Sequence, residues 1–328
     1  MAANHRPIVP WSLRWASDLA SVVSSMRQIS RNDLKYRDCD PEFGATTSLS
    51  IILPAKNEAA AIGELLARLR QHWPGAEVIV VDDGSTDATA EIARQAGARV
   101  YSHPYSLGNG AAIKAGARVA SGGVLVFMDA DGQHEPAAIE TLLQRFNDGF
   151  DMVVGARSAT GQANVARGLA NRFYNRIASW MTGHTILDLT SGFRAVRADR
   201  FREFLHLLPN GFSYPTTTTM AFFRSGYPVA FVPVEVRKRI GSVSHIRPLR
   251  DGVRFLLIIF KIATLYSPLK LFAPISFCFF GIGAGYYAWT YATAGRFTNM
   301  SVLLFSAAVI IFLIGLVSEQ ITSLTYRK

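Results

Sequence analysis

Residues 271–295 contain no formally charged side chain, and after Arg296 neither do residues 297–318, before Glu319 ends the run. Each stretch exceeds the roughly 20 residues that a helix needs to cross the hydrocarbon core of a bilayer. The short link around Gly295-Arg296-Phe297 makes the pair a hairpin, with both outer ends on one side. Lys261 and Lys270 flank the first stretch and Arg327 and Lys328 follow the second, whereas the turn carries one Arg. The positive-inside tendency then places the large N-terminal region in the cytoplasm. The rival reading is a buried helical hairpin in a soluble protein. The segment lengths disfavour it, and a hydrophobic content of 49% is high for a soluble chain.

The net charge of +10 is concentrated just before the hairpin, in Arg237, Lys238, Arg239, Arg247, Arg250 and Arg254, opposed only by Asp251. Juxtamembrane cations attract anionic lipid at about 1 kcal/mol each near the surface. Beside a membrane anchor, and with no nucleic-acid motif in the chain, such a cluster points to anionic membrane lipid or a lipid phosphate and not to nucleic acid. The two cysteines, Cys39 and Cys278, exclude a disulfide framework and a cysteine-based zinc site. Near the N-terminus Trp11, Trp15, Leu19, Val22 and Met26 recur at helical spacing, while Arg14, Asp18 and Arg27 interrupt any secretory-signal core. An amphipathic helix is expected there, packed on the domain or lying on the membrane.

Between residues 48 and 128 strand-like and helix-like segments alternate, which implies a parallel sheet with helices on both faces. Further on, residues 136–146 and 169–181 read as helices, and 152–154 and 229–236 as strands. The expected divisions are an N-terminal extension over 1–47, an α/β domain over 48–240, a basic interfacial segment over 241–266, and the hairpin over 267–328.

Ligands of such sheets sit beyond the carboxyl ends of the strands. Three polar motifs fall at strand ends: Pro54-Ala55-Lys56-Asn57-Glu58, Asp82-Asp83, and Asp129-Ala130-Asp131-Gly132-Gln133-His134. A turn through Ala130 and Gly132 would let Asp129 and Asp131 grip one Mg2+ or Mn2+ that holds a diphosphate, with the Gln133 amide oxygen as a third ligand. The alternative is a pair of aspartates capping the next helix. Asp82 and Asp83 suit the base or ribose of a nucleotide, or equally the cap of the following helix. Asn57 and Glu58 suit the same pocket or a helix start. Gly110, in Gly108-Asn109-Gly110, allows either close approach of a ligand or a plain turn. Arg157, Arg172 and Arg176 follow the metal motif, as an anionic acceptor would require. A further distinctive run is Asp188-Leu189-Thr190-Ser191-Gly192-Phe193-Arg194.

The order of these motifs resembles the family-2 glycosyltransferases, and within them the polyprenyl-phosphate sugar synthases of the dolichyl-phosphate mannose synthase type. The matching pieces run from Pro54-Ala55-Lys56-Asn57-Glu58 through residues 82–87, 108–116 and 129–134, Gly155-Ala156-Arg157 and Ser191-Gly192-Phe193-Arg194 to the hairpin. The resemblance implies an α/β nucleotide-diphospho-sugar transferase fold of the GT-A, Rossmann-like type. It also implies Asp129, Asp131 and Gln133 around the metal, and Pro54, Glu58 and Asp83 in the nucleotide pocket. Arg157 and Arg172 would hold the acceptor phosphate, with Arg176, Arg194, Arg239 and Ser244 on the acceptor side. Where that family has Arg-x-x-Gly-x-Ser-Lys, this chain has Arg239-Ile240-Gly241-Ser242-Val243-Ser244-His245, a departure bearing on the acceptor or the sugar. The Gln-x-x-Arg-Trp signature of related processive enzymes is absent.

The implied reaction moves a hexose-type sugar from a UDP- or GDP-sugar to polyprenyl phosphate, with inversion, through Asp131, Arg157 and Arg172. Two other readings stand beside it: transfer to a hydroxyl of a lipid or glycan, and a catalytically silent nucleotide-binding membrane scaffold. Two spans are too few for a flipping channel, so a homo-oligomer or a separate flippase is expected if the product crosses the membrane.

Overall fold

The computed structural model describes residues 48–157, 165–211, 213–235, 260, 264 and 266–325. The residues expected to form the N-terminal amphipathic helix, most of the expected interfacial segment, and Arg239, Ser242, Ser244 and His245 lie outside them.

The described chain runs β1 (Leu49–Ala55), α1 (Ala59–His72), β2 (Glu77–Asp82), α2 (Thr89–Gln95), β3 (Arg99–Ser102), α3 (Asn109–Val119) and β4 (Val124–Phe127). It continues with α4 (Ala138–Phe146), β5 (Met152–Arg157), α5 (Val165–Thr182), β6 (Arg194–Arg197), α6 (Ala198–Glu203), α7 (Tyr214–Arg224) and β7 (Val229–Val234). Two long helices follow, α8 (Pro268–Ala294) and α9 (Asn299–Thr325).

Alternation along the strands builds two cores. Ile51 and Leu53 of β1, with Val124 and Val126 of β4, pack against α1, α2 and α4. Ile52, Leu125 and Phe127 point the other way, against α3, α6 and α7. A strand buried on both faces reads as a continuous apolar run, which is why 124–128 was legible as a strand. The sheet order is β3-β2-β1-β4-β6-β5-β7. The expected parallel pairing holds for β3, β2, β1 and β4 and between β5 and β7. The strand at 194–197 was not expected: β6 runs antiparallel to both β4 and β5, so the sheet as a whole is mixed. β6 is short, begins with a buried cation, and gives no alternating pattern from which to read it.

An acidic clamp at the far end of the sheet makes a measurable prediction. Glu77 accepts hydrogen bonds from the Ser50 hydroxyl at 2.6 Å, the Ser121 N–H and hydroxyl at 2.8 Å each, and Arg99 at 2.9 Å. Partial burial raises its pKa, but these bonds outweigh burial and hold it down at about 2. A depressed carboxyl contributes stability that is present above its unfolded pKa and lost as pH falls through the folded one. Glu77→Gln should therefore flatten the loss of stability between about pH 4.5 and 2. Acid melts of both proteins that coincide over that window would refute the clamp.

In the hairpin, Ser276, Gly283 and Thr290 of α8 and Ser301, Ala308, Gly315 and Thr322 of α9 are buried, each series at seven-residue spacing. Small residues let two helices approach closely, and the Ser276 hydroxyl donates across the seam to the Ala308 carbonyl at 2.7 Å. Phe277, Ile282, Trp289, Leu303, Ile310 and Ile321 face outward. With most of their apolar surface uncovered, both helices are long and apolar enough to cross a membrane and neither is a core helix.

Candidate active site

The rim beyond the C-terminal ends of β1, β2 and β4 gathers all three polar motifs. β1 outlasts β4, whose last paired residue, Phe127, faces Ile52. Pro54 therefore lies where the ladder toward β4 has ended and no N–H is needed, which is where a proline is tolerated.

The first two motifs are tied to each other. Asn57, at φ +55° the non-glycine residue of positive φ among the described residues, accepts from the Thr86 N–H at 2.8 Å and donates its own N–H to Ser85 at 3.0 Å. The orphan N–H groups at the start of α1 are satisfied by the neighbouring loop: Glu58 donates to Thr89 Oγ1 at 2.9 Å and Ala59 to Asp87 at 3.2 Å. Asp82 is buried and accepts from the Ser85 N–H at 3.0 Å. Asp83 accepts four bonds, from His103 at 2.8 Å, Ser106 at 2.7 Å, and the N–H groups of Leu107 at 2.8 Å and Gly108 at 2.9 Å. Burial works against its charge, but these donors prevail and hold its pKa below the usual carboxylate range. In this structure Asp83 and Asn57 fix the loops of the rim.

Gly110 has a different role from the one expected. A Cβ there would lie 2.1 Å from the Pro209 carbonyl and 2.8 Å from that of Gly211. The space is taken by the 209–211 loop, not by a ligand approach, and Lys114 of the same helix donates to the Leu208 carbonyl at 3.1 Å. Gly110→Ala should lower stability by about 1–3 kcal/mol, because backbone must move to admit the methyl group. An unchanged melting temperature would show that this packing does not exist in solution.

At the end of β4 a turn through Ala130 and Asp131 leads into Gly132 at φ +72°. The Gln133 N–H donates to Asp131 Oδ1 at 3.1 Å. Asp129, Asp131 and Gln133 are all half-buried. Opposite Asp129 lies Gly192, where a Cβ would stand 3.5 and 3.6 Å from the two Asp129 carboxylate oxygens. The missing side chain keeps that cradle open. Among the described residues no three His, Cys, Asp or Glu side chains form a closed cage. Two carboxylates and an amide oxygen, all hard donors on an open rim, fit Mg2+ or Mn2+ whose remaining ligands are substrate phosphates or water.

β6 brings a second group of residues to this rim. Because it runs antiparallel, its beginning lies beside the ends of β4 and β5, with Arg194 opposite Phe127 and Val154. The 188–193 loop is thereby delivered next to the acidic turn of residues 129–134. Asp188 holds Arg157, the last residue of β5, through Nε at 2.8 Å and Nη2 at 3.1 Å, and Arg157 also donates to Thr190 Oγ1 at 2.6 Å. Burial tends to lower the Arg157 pKa, but Asp188 and then Asp129 raise it, while Arg157 overrides burial to lower that of Asp188. Arg157 is thus a fixed cation within the field of Asp129, with 38% of its side chain accessible. Arg172 and Arg176 lie exposed on α5.

Arg194 is a correction to the expected acceptor set. It is wholly buried, and its guanidinium donates to the Pro215 carbonyl at 2.9 Å, to Thr219 at 3.2 Å and to the Ser191 carbonyl. Burial pushes its pKa down to about 10, so it stays cationic near neutral pH. It pins α7 to the 188–193 loop and has no surface for an acceptor. Arg239 and Ser244 lie outside the described residues.

Three rim residues were not read as functional from the sequence. Asp188 was signalled by the 188–194 run, but its role of aligning Arg157 depends on the fold. Tyr214 opens α7 beside Asp129, and burial followed by the Asp129 charge raises its pKa, so it remains a neutral hydroxyl. His134 stacks on Phe193 at 4.6 Å between ring centres; its Nδ1 is buried without a hydrogen-bond partner among the described residues. Burial lowers its pKa to about 4, so its ring is neutral.

Comparisons with known proteins agree with this geometry. Residues 50–205 match the model of glycosyl transferase family 2, and residues 267–324 match the GtrB C-terminal hairpin. The chain is 29% identical to glycosyltransferase AglJ of Haloferax volcanii, over 84% of this chain and 94% of that protein. It is 32% identical to the dolichyl-phosphate hexose transferase of the same organism, over 62% of this chain and 89% of that one. Glucosyl-3-phosphoglycerate synthase from Mycobacterium tuberculosis, solved with Mn2+ and UDP-glucose, superposes with a TM-score of 0.51 at 26% identity, covering 66% of this chain and 78% of that one. With its GT-A type sheet, its acidic turn after β4 and its C-terminal hairpin, the chain belongs to glycosyl transferase family 2.

Proposed function

We propose that this chain is a membrane-bound inverting glycosyltransferase that moves a hexose-type sugar from a UDP- or GDP-sugar to the phosphate of a polyprenyl phosphate. The observation that carries the reading is one rim holding both Asp129-Ala130-Asp131 and an aligned Arg157, in a chain that ends in an apolar hairpin. The relative named for dolichyl-phosphate hexose transfer supports the acceptor class.

An acceptor phosphate oxygen attacks the anomeric carbon; the bond from that carbon to the donor diphosphate breaks, and the nucleoside diphosphate leaves with the electron pair. A phosphate monoester is already ionised near neutral pH, so the acceptor needs placement rather than a base. Arg157, oriented by Asp188 and Thr190, offers a guanidinium for the meeting of two anions, with Arg172 and Arg176 on the acceptor side. Asp129, Asp131 and Gln133 would hold Mg2+ or Mn2+, which supplies charge stabilisation to the leaving diphosphate. Pro54, Asn57, Glu58, Asp82 and Asp83 line or shape the nucleotide side. The hairpin spans the bilayer, the 48–240 domain lies on its cytoplasmic face, and the basic 241–266 segment meets anionic lipid.

The test incubates the purified full chain with Mn2+, radiolabelled UDP- and GDP-sugars in turn, and a short polyprenyl phosphate. Label that enters organic solvent and is released by mild acid identifies a sugar phosphate and names the donor. An alkali-stable, acid-resistant product would overturn this reading in favour of a hydroxyl acceptor. Nucleotide binding without transfer from any donor would leave a scaffold.

A further inference from the structure

The apolar run of the second helix ends at a carboxylate. Glu319 lies near the C-terminal end of α9, at the edge of the apolar segment, and an ionisable group that close to a spanning segment is held by partners. Its Oε1 accepts from Arg224 Nη2 at 3.0 Å. Its Oε2 accepts from the Leu269 N–H at 3.2 Å and from the Ser267 hydroxyl at 3.4 Å. Leu269 is in the first turn of α8, whose N–H groups have no partner within their own helix. One side chain thus joins the last residue of α7, the start of α8 and the body of α9. The pair is mostly withdrawn from solvent, at 23% and 24% side-chain exposure, and Arg224 also lies 5.9 Å from the centre of the Tyr266 ring.

Two helices that pack at the rim, α7 and α5, end on this base; α5 holds the 187–189 loop through Asn175, which donates to the Leu187 carbonyl at 2.5 Å and accepts from the Leu189 N–H at 3.1 Å. α7 begins at Tyr214, beside Asp129, and its first turn is pinned by Arg194 to the Pro215 carbonyl. α5 carries Arg172 and Arg176, and near its end the Met181 carbonyl accepts from Lys270 Nζ of α8 at 2.8 Å. Tyr174, Met181, Leu189, Met220 and Tyr266 fill the space between them as one apolar cluster. The two helices connect the reacting rim to the hairpin, and the Arg224–Glu319 pair closes the connection.

We propose that Glu319 and Arg224 are positioning residues that set the height and tilt of the rim over the bilayer. A phosphate held at the headgroup level then meets the donor without a search. The inference rests on the polyprenyl-phosphate reading, because only an acceptor anchored in the membrane needs the rim at a fixed height. Neither residue touches substrate; they act through α7 and the base of α8.

The test uses the full chain in lipid nanodiscs, comparing Arg224→Ala, Arg224→Lys and Glu319→Gln with the unaltered protein. Arg224→Ala and Glu319→Gln should raise KM for bilayer-embedded polyprenyl phosphate about tenfold with little change in kcat. Binding of nucleoside diphosphate with Mn2+ should stay the same, and Arg224→Lys, which keeps the charge, should recover most of the loss. A merely structural pair would lower nucleotide binding and kcat together, and that result overturns the proposal, as does an unchanged KM in both variants. A second readout needs no turnover. A dye on Gln71→Cys, in a Cys39→Ser and Cys278→Ser background, reports distance to an acceptor dye on the lipid headgroups. The distance distribution should be narrow in the unaltered chain and broad with Arg224→Ala; equal widths would refute the positioning role. If the unaltered chain transfers no sugar to polyprenyl phosphate, the functional reading fails by itself, and the distance measurement still decides the positioning role.

Discussion

Asp131→Asn is expected to lower sugar transfer by about a hundred- to a thousandfold, the usual cost of removing one preorganised electrostatic group from a reacting centre. The substitution is nearly isosteric, and asparagine can still accept the Gln133 N–H through its amide oxygen, so the turn after β4 should keep its shape. What changes is charge. One of the two carboxylates proposed to hold the divalent cation becomes neutral, which would weaken its grip where leaving-group charge develops. Initial rates at saturating Mn2+ and donor check this, together with a thermal melt showing an unaltered fold. Retention of near-normal turnover would mean that the acidic turn only orders its own loop and that transfer, if it occurs, is organised elsewhere.

The second large effect falls on stability. Arg194→Ala should cost about 3 kcal/mol or more, through both the cavity it leaves and the loss of partners for buried groups. The Pro215 and Ser191 carbonyls and the Thr219 hydroxyl would each lose a charged donor in a place water does not reach. Denaturation of the detergent-solubilised chain measures it. Arg157→Ala is the contrasting control: with its side chain partly accessible and its partner Asp188 at the rim, its loss should fall on acceptor use more than on folding. If Arg194→Ala melted like the unaltered protein while abolishing transfer, the assignment of these two arginines would have to be reversed.

That contrast also measures what could be read from the chain. Arg157 and Arg194 look alike as residues: each is an arginine at a strand terminus near small residues. Which one is exposed was decided by the reversal of β6. Had β6 run parallel, its start would lie at the opposite edge of the sheet, and the 188–193 loop could not reach Asp129 or orient Arg157. Similarly, Gly110 carries the same local signal whether ligand or protein fills the space before it. The 209–211 loop that does so is about a hundred residues away in sequence, where no local pattern records the approach. Asn57 and Asp83 were recognised as rim residues, but their work of locking neighbouring loops depends on partners from other strand ends.

By itself the sequence determined the apolar helical hairpin, long enough to cross a bilayer, because uninterrupted apolar length is a property of consecutive residues. It likewise determined that the strands of residues 48–128 form a parallel sheet and that three acidic or polar motifs sit at one rim, since a buried strand followed by a polar turn is a local pattern; their order, β3-β2-β1-β4, came from the structure. Only the tertiary structure decided the antiparallel β6, the division of labour between Arg157 and Arg194, and the closure of Arg224 on Glu319. Those outcomes depend on which distant side chains share a buried space, where an unpartnered charge is costly and each cation is fixed by the partner the fold supplies.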